Sequence, residues 1–171
     1  KYVYTTSSEV SFQMTNMDIS HYIDMDLTIS TIYNALRRNH PIDWRFEQKE
    51  SRKYYGLAYV LDGHASYVTE RSTFEAQKDD ILLFQKGSRY RSAGDKQTSY
   101  KIILIQFDLL EDLSSVFAPV SKVVRAAGSP YYSHMFIEIA SIWSRKDIGY
   151  KVRCKAILQD ILFHVLHDSV R

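Results

Sequence analysis

Cysteine is almost missing from this chain: Cys154 stands alone among 171 residues. A single thiol closes no intrachain disulfide, so a reducing compartment, the cytoplasm, is expected. Runs of about 18 apolar residues are missing too, and neither a transmembrane helix nor a membrane partner is expected. The start, Lys1-Tyr-Val-Tyr, has no hydrophobic signal segment and no initiating Met, so the chain reads as a piece excised from a longer cytoplasmic protein. Neither sign of charge dominates. Lys and Arg number 22 against 20 Asp and Glu, a net charge of +2, which is too weak a field to hold a nucleic-acid backbone. Small basic clusters at Arg37-Arg38, Arg52-Lys53 and Arg89-x-Arg91 read as solvated loops and strand ends. There is no Gly-rich phosphate loop, no Ser-His-Asp set in a nucleophile context, no internal repeat and no low-complexity tract.

What is present is an ordinary globular composition, 45% hydrophobic and 25% charged, in a chain long enough to bury one core. Three short apolar runs lie between residues 54 and 107. They read Tyr54-Tyr-Gly-Leu-Ala-Tyr-Val-Leu-Asp-Gly63, then Ile81-Leu-Leu-Phe84, then Ile102-Ile-Leu-Ile-Gln-Phe107. Branched and aromatic residues fill them and Gly, Asp and Lys punctuate them, which is the pattern of strands in an antiparallel sheet.

Along the chain, residues 1–26 show no sustained period and are expected to form an arm. Residues 27–38 mix periods of two and 3.6, and the β-branched run Thr28-Ile-Ser-Thr-Ile-Tyr33 favours a strand that His40-Pro41 ends. Trp44-Arg-Phe-Glu-Gln48 alternates, placing 44, 46 and 48 on one face. Glu70-Arg-Ser-Thr73 has hairpin-turn chemistry, and residues 92–99 read as a polar loop. Beyond Asp108 the pattern changes, and Gly128-Ser-Pro130 leads into two amphipathic helices. The first spans 131–146, with a stop at Gly149, and the second spans 151–168.

The order Leu57-Ala-Tyr-Val-Leu-Asp-Gly63, hairpin, Lys78-Asp-Asp80-Ile-Leu-Leu-Phe-Gln-Lys-Gly87-Ser-Arg-Tyr90 resembles the ligand-sensing domain of AraC-type transcription regulators. The resemblance is close over residues 30–108 and looser through the helices. It departs at Asp79, where the family usually has Gly, so the shape of that turn is in question. It implies a mainly β fold, a cupin (jelly-roll) barrel followed by a C-terminal antiparallel helical hairpin. The division expected is an arm at 1–26, an effector-binding barrel at 27–110 and a helical dimerisation region at 111–171. It further implies a small-molecule effector, a homodimer, and DNA contact only through a helix-turn-helix domain outside this chain. The arm either packs on the barrel exterior or, as the resemblance allows, folds across the pocket and brings Tyr2, Tyr4 and Phe12 over a ligand.

A metal-binding cupin needs two histidines and a carboxylate in its first motif and a histidine after its second. Here those positions fall near Glu50, Arg52, Gly56 and Tyr90, and only Glu50 is a ligand type, so neither a metal nor another cofactor is expected. His164 and His167 lie three apart on the last helix without a third ligand in sequence. With Tyr90 facing inward as the resemblance implies, alternation puts Gln48, Glu50 and Arg52 on the inner face with Trp44, and Tyr67 and Gln106 join them as weaker candidates. An aromatic face beside such donors and acceptors suits a hydroxylated ligand such as a sugar. The alternative is that these are solvent-facing strand residues around a core tyrosine. On the last helix, Ile157, Leu158, Ile161, Leu162, Val165 and Leu166 form a stripe wider than one packing seam needs. The first five are the expected dimer interface. The rival readings are a cupin enzyme acting on a small metabolite and a dimerisation module with a filled barrel.

Overall fold

Strand β3, Tyr55–Asp62, is buried on both faces from Tyr55 through Val60 and lies at the middle of the larger of two antiparallel sheets. The computed structural model describes residues 20–123 and 130–169. In the larger sheet β1 (Ile29–His40), β8 (Tyr100–Leu109), β3, β6 (Ile81–Phe84) and β9 (Val120–Val123) stand in that order. The smaller sheet orders β2 (Arg45–Gln48), β7 (Tyr90–Gly94), β4 (His64–Val68) and β5 (Thr73–Gln77). Helix α1 (Ser20–Ile23) is a single turn, and α2 (Tyr131–Arg145) and α3 (Tyr150–Ser169) form the expected hairpin.

Alternation along the central strands divides the core in two. Tyr55, Leu57 and Tyr59 of β3, Ile81 and Leu83 of β6, and Ile103, Ile105 and Phe107 of β8 face one way, where α2 and α3 cover them. Ala58 and Val60, Leu82 and Phe84, Tyr100, Ile102 and Leu104 face the other way, toward Ala65, Tyr67, Phe74 and Tyr90 of the smaller sheet. A sheet covered on both faces needs apolar residues at consecutive positions, which is why these strands read as unbroken hydrophobic runs.

Strand β1 carries register shifts between Ile29 and Thr31 and between Ile32 and Asn34, so it slips a residue at Ser30 and again at Tyr33. The second slip puts Ile32 on the helix side beside Phe107 and then Asn34 on the barrel side beside Gln106. The mixed period in the sequence of this segment is the trace of those bulges. Gly63 makes the β3–β4 turn at φ 85°, where an added Cβ would stand 2.1 Å from the Ser99 carbonyl oxygen, so no other residue fits. Asp79 takes φ 73°, the conformation a glycine would supply, and its carboxylate accepts a hydrogen bond from the Tyr59 hydroxyl.

Several expectations need correction. β7 runs through Gly94, so the polar loop shortens to 95–99; Ser92 and Ala93 pair with β4 and β2. Strand β9 was not anticipated. It is anchored by the buried Gln85, whose backbone N–H reaches the Pro119 carbonyl at 2.9 Å and whose side-chain amide donates to the Phe117 and Ala118 carbonyls. The larger sheet therefore continues past residue 110. Helix α2 ends where the sequence pattern does, with Lys146 capping it in the left-handed conformation at φ 54°, and Gly149 lies in the turn before α3; the Lys146 ammonium lies 4.7 Å from the Trp143 ring and 5.1 Å from the Tyr150 ring. Of the arm, residues 1–19, with Tyr2, Tyr4 and Phe12, lie outside the described residues.

The proposed interface stripe is the largest correction. Ile157, Leu158, Ile161, Leu162 and Val165 are all 2% exposed or less within the single chain, in one cluster with Phe136, Ile139 and the outer face of the larger sheet. The stripe is wide because it meets both α2 and the sheet, and nothing of it is left over for a second subunit. Leu158→Ala is expected to cost about 2–5 kcal/mol of unfolding free energy. Leu158→Glu is expected to give an unfolded or aggregated chain; denaturant titration and size exclusion measure both. A soluble, folded Leu158→Glu protein would show that this side chain is not core.

Candidate functional site

Between the two sheets lies a cavity of about 340 Å³, within the range of small-molecule sites. Cross-strand rows place the lining residues Arg38, Phe84, Ile102, Leu104 and Gln106 of one sheet opposite Phe46, Gln48, Tyr67, Tyr90 and Ser92 of the other. On the larger sheet one row runs Asn34, Gln106, Gly56, Phe84 and a second runs Leu36, Leu104, Ala58, Leu82; Arg38 stands opposite Ile102. On the smaller sheet Gln48 pairs with Tyr90, and Phe46, Ser92, Tyr67 and Phe74 form a continuous row. The cavity-facing residues of β3 are Gly56, Ala58 and Val60, whereas its helix-facing residues are Tyr55, Leu57 and Tyr59. Small side chains on one face of a central strand leave the space, and large ones on the other fill the layer beneath the helices.

All seven residues singled out from sequence, Trp44, Gln48, Glu50, Arg52, Tyr67, Tyr90 and Gln106, line this one cavity. The reason given for Glu50 and Arg52 does not hold, because β2 ends at Gln48 and alternation cannot carry across the loop that follows. The loop is fixed by its backbone instead. The Arg52 N–H donates to the Ser88 carbonyl at 3.1 Å, its carbonyl accepts from the Gly87 N–H at 2.8 Å, and the Gln48 side-chain amide donates to the Glu50 carbonyl at 2.7 Å. Arg52 is thereby directed inward, while Glu50 stays exposed.

The Arg52 guanidinium lies 5.3 Å over the Phe84 ring and donates to the Tyr90 hydroxyl at 3.4 Å. One of its nitrogens stands 2.7 Å from where a Cβ on Gly56 would be, so the missing side chain of Gly56 makes its room. The positions a cupin uses for metal ligands are thus spanned by a cation, an arrangement unsuited to a metal ion. No group of three His, Cys, Asp or Glu in metal-binding arrangement occurs among the described residues.

Aromatic rings dominate the remaining surface. Trp44 stacks on His40 at 4.0 Å, Phe46 meets Tyr90 at 6.0 Å, and Tyr90 meets Phe84 at 5.0 Å. The hydroxyls of Tyr67 and Tyr100 bond each other at 2.9 Å, and burial pushes both phenols up. Burial also raises Tyr90, against the opposing pull of Arg52 and Arg38. His40 is pushed below the ordinary histidine value, by burial first and by the Arg38 charge second.

Arg38, His40, Phe46 and Ser92 are wall residues that the sequence reading missed. Phe46 was legible from its alternation with Trp44 and Gln48. Arg38 and His40 become legible only when the β1 bulges are known, and Ser92 was hidden by reading its strand as a loop.

The chain matches the AraC-like ligand binding domain family over residues 32–162. It belongs to that family. Among solved structures, this AraC-like domain is similar to an apo ToxT variant from Vibrio cholerae strain SCE256, with a TM-score of 0.56 at 11% identity over 78% of this chain and 55% of that one. ToxT from Vibrio cholerae O395 gives 0.52 at 10% identity, over 77% of this chain and 53% of that one. A Cupin 2 conserved barrel protein from Salinispora arenicola CNS-205 gives 0.38 at 14% identity, over 42% and 60%. The AraC-like domain spans between 31% and 55% of the length of the ToxT chains it matches. No curated protein matches it. Among the described residues no helix is long and apolar enough to cross a membrane.

The histidine in the wall generates a prediction. Above the ordinary value of 6.5 both folded and unfolded chains carry neutral His40, and its contribution to stability is complete. As pH falls below 6.5 the unfolded chain takes the proton first, so stability declines until pH passes the lower folded value. Titration of the His40 ring by NMR should give a pKa below 6.5, and Arg38→Ala should move it back up by removing the neighbouring charge. A folded value at or above 6.5 would contradict the described surroundings.

Proposed function

We propose that this chain is the effector-sensing module of an AraC-type transcription regulator, and that its effector is a small polar molecule, a sugar or sugar derivative, held in the cavity between the sheets. The supporting observation is the cavity wall itself. Flat aromatic rings, Trp44, Phe46, Tyr67 and Tyr90, stand beside the amides of Gln48 and Gln106 and the guanidinium of Arg52. Rings cover the apolar face of a pyranose or furanose and the amides bond its hydroxyls, a combination a purely hydrophobic ligand would leave unpaired. Binding rather than catalysis is the role proposed, and Glu50 has no carboxylate or histidine placed with it for acid–base work in the wall beyond the neutral His40. In a full-length protein, DNA would be contacted by a separate helix-turn-helix domain. A cytoplasmic location is part of the proposal and rests on the single buried thiol of Cys154.

Calorimetric titration with a panel of neutral and acidic sugars tests the ligand. At least one should bind, and Trp44→Ala should weaken that binding by about 1–2 kcal/mol through loss of its ring face. A panel with no binder, or binding indifferent to Trp44, would reject the sugar reading. Stoichiometric iron, manganese, nickel or zinc retained by the purified protein would favour the rival, a cupin enzyme.

Homodimerisation, with the inward stripe of α3 already used, is proposed through the outer face of that helix. Val152, Ala156 and Phe163 recur there at helical spacing, with Val152 75% and Phe163 59% exposed. Sedimentation should show a dimer at high micromolar concentration that Phe163→Glu converts to a folded monomer. A monomeric wild-type chain would exclude this contact.

A further inference from the structure

Two guanidinium groups reach the cavity from different elements, and among the described residues neither has an anionic partner. Arg38 comes from β1 and Arg52 from the clamped loop after β2; among the described residues neither forms an ion pair. The Arg38 Nε is buried without a hydrogen-bond partner, and so is the Ser92 hydroxyl in the opposite wall. The Arg52 side chain makes only long bonds, 3.3 Å to the Tyr54 carbonyl and 3.4 Å to the Tyr90 hydroxyl. Lys53 adds a third cation to the wall, and the one carboxylate there, Glu50, is exposed and bonded to neither arginine. Three surface arginines elsewhere have partners, Arg45 with Asp43 at 3.3 Å, Arg145 with Asp147 at 3.2 Å and Arg153 with Glu138 at 3.4 Å, whereas Arg37, Arg71, Arg89 and Arg91, without an ion pair among the described residues, are exposed to water.

Holding partly desolvated, uncompensated cations together costs free energy, and an arriving anion recovers it through charge-assisted bonds. A planar guanidinium fork matches a carboxylate or a phosphate, which both present oxygens at the required spacing. A neutral sugar would leave both cations unpaired while removing water from them, which is unfavourable. We infer that the effector carries an anionic group, a carboxylate or a phosphate, that docks on Arg38 and Arg52, while its uncharged body lies against the aromatic wall. This rests on the proposed cavity-binding function and narrows it to acidic ligands.

The test follows two reporters in the isotopically labelled 171-residue chain: the Nε–H signals of Arg38 and Arg52, and the indole signal of Trp44. The probes are glucose, glucuronate, glucose 6-phosphate, decanoate, acetate and inorganic phosphate. Glucuronate or glucose 6-phosphate is expected to bind at least about tenfold more tightly than glucose and to move all three signals. Arg38→Ala and Arg52→Ala should each weaken the charged ligand by about 10- to 100-fold, a larger loss than either causes in any glucose binding. Gly56→Ala is the second kind of variant. It keeps every charge, and the atom it displaces is the flexible end of Arg52, so melting should stay near that of the wild type while charged-ligand affinity drops. Glucose binding as tightly as its acid and phosphate, or charged ligands binding with both arginine signals still, would overturn the inference while leaving a sugar site standing. Decanoate moving the arginines while no sugar moves Trp44 would do the reverse, supporting the anion site and rejecting the sugar reading. Arginine signals unmoved by every probe, including acetate and phosphate, would overturn it as well.

Discussion

The larger sheet has to satisfy two cores at once, and the rest of the structure depends on that constraint. Each residue of β3, β6 and β8 is committed by parity to the helix layer or to the cavity, and a one-residue slip would exchange the two. The fold holds the register at the points where slipping would be cheapest. Gly63 fixes the end of β3 against Ser99, Asp79 fixes the start of β6 through Tyr59, and Gln85 fixes the end of β6 through its bonds to the segment before β9. These anchors use polar groups, yet they stand at strand ends, where backbone donors and acceptors lack ladder partners and need them.

Much of this was legible in the sequence because burial on both faces writes itself as continuous apolar runs. The three runs between residues 54 and 107 became β3, β6 and β8, and the two helical stripes became α2 and α3. What escaped has a physical pattern. Strand β9, Val-Ser-Lys-Val, is too short and too polar to announce itself, since its place is set by side-chain bonds from Gln85 rather than by its own composition. The two bulges of β1 scrambled a period of two, which hid Arg38 and His40. The loop from 49 to 54 brought Arg52 to the cavity through backbone bonds to Gly87 and Ser88, a long-range contact with no local signature.

The misreading of α3 has a different origin. A stripe of adjacent apolar pairs was counted as surplus because a helix lying on a barrel was allotted one seam, but this helix fills the angle between α2 and the sheet and needs two. Sequence gives the width of an apolar face, not the number of neighbours that share it. The same caution applies to α2, whose buried Phe136 stacks on Tyr59 at 5.6 Å and whose buried Trp143 meets Tyr150 of α3 at 5.2 Å.

The polar groups of the cavity are not equivalent, and their differences would orient a molecule bound as proposed. The Tyr67 hydroxyl is already bonded to the buried Tyr100 behind it, so Tyr67's part of the wall would ask nothing of a ligand beyond shape and contact. Arg38, Arg52 and Ser92 have capacity left over, and the neutral state of His40 adds no competing positive charge beside them. An effector of the proposed kind would therefore gain most by turning its polar, charge-bearing end to the arginines and its flat or apolar surface to Trp44, Phe46 and Tyr67. That orientation would be set by which donors are already spent within the protein, and it depends in turn on Gly56, whose missing side chain lets the Arg52 guanidinium come close to the strand.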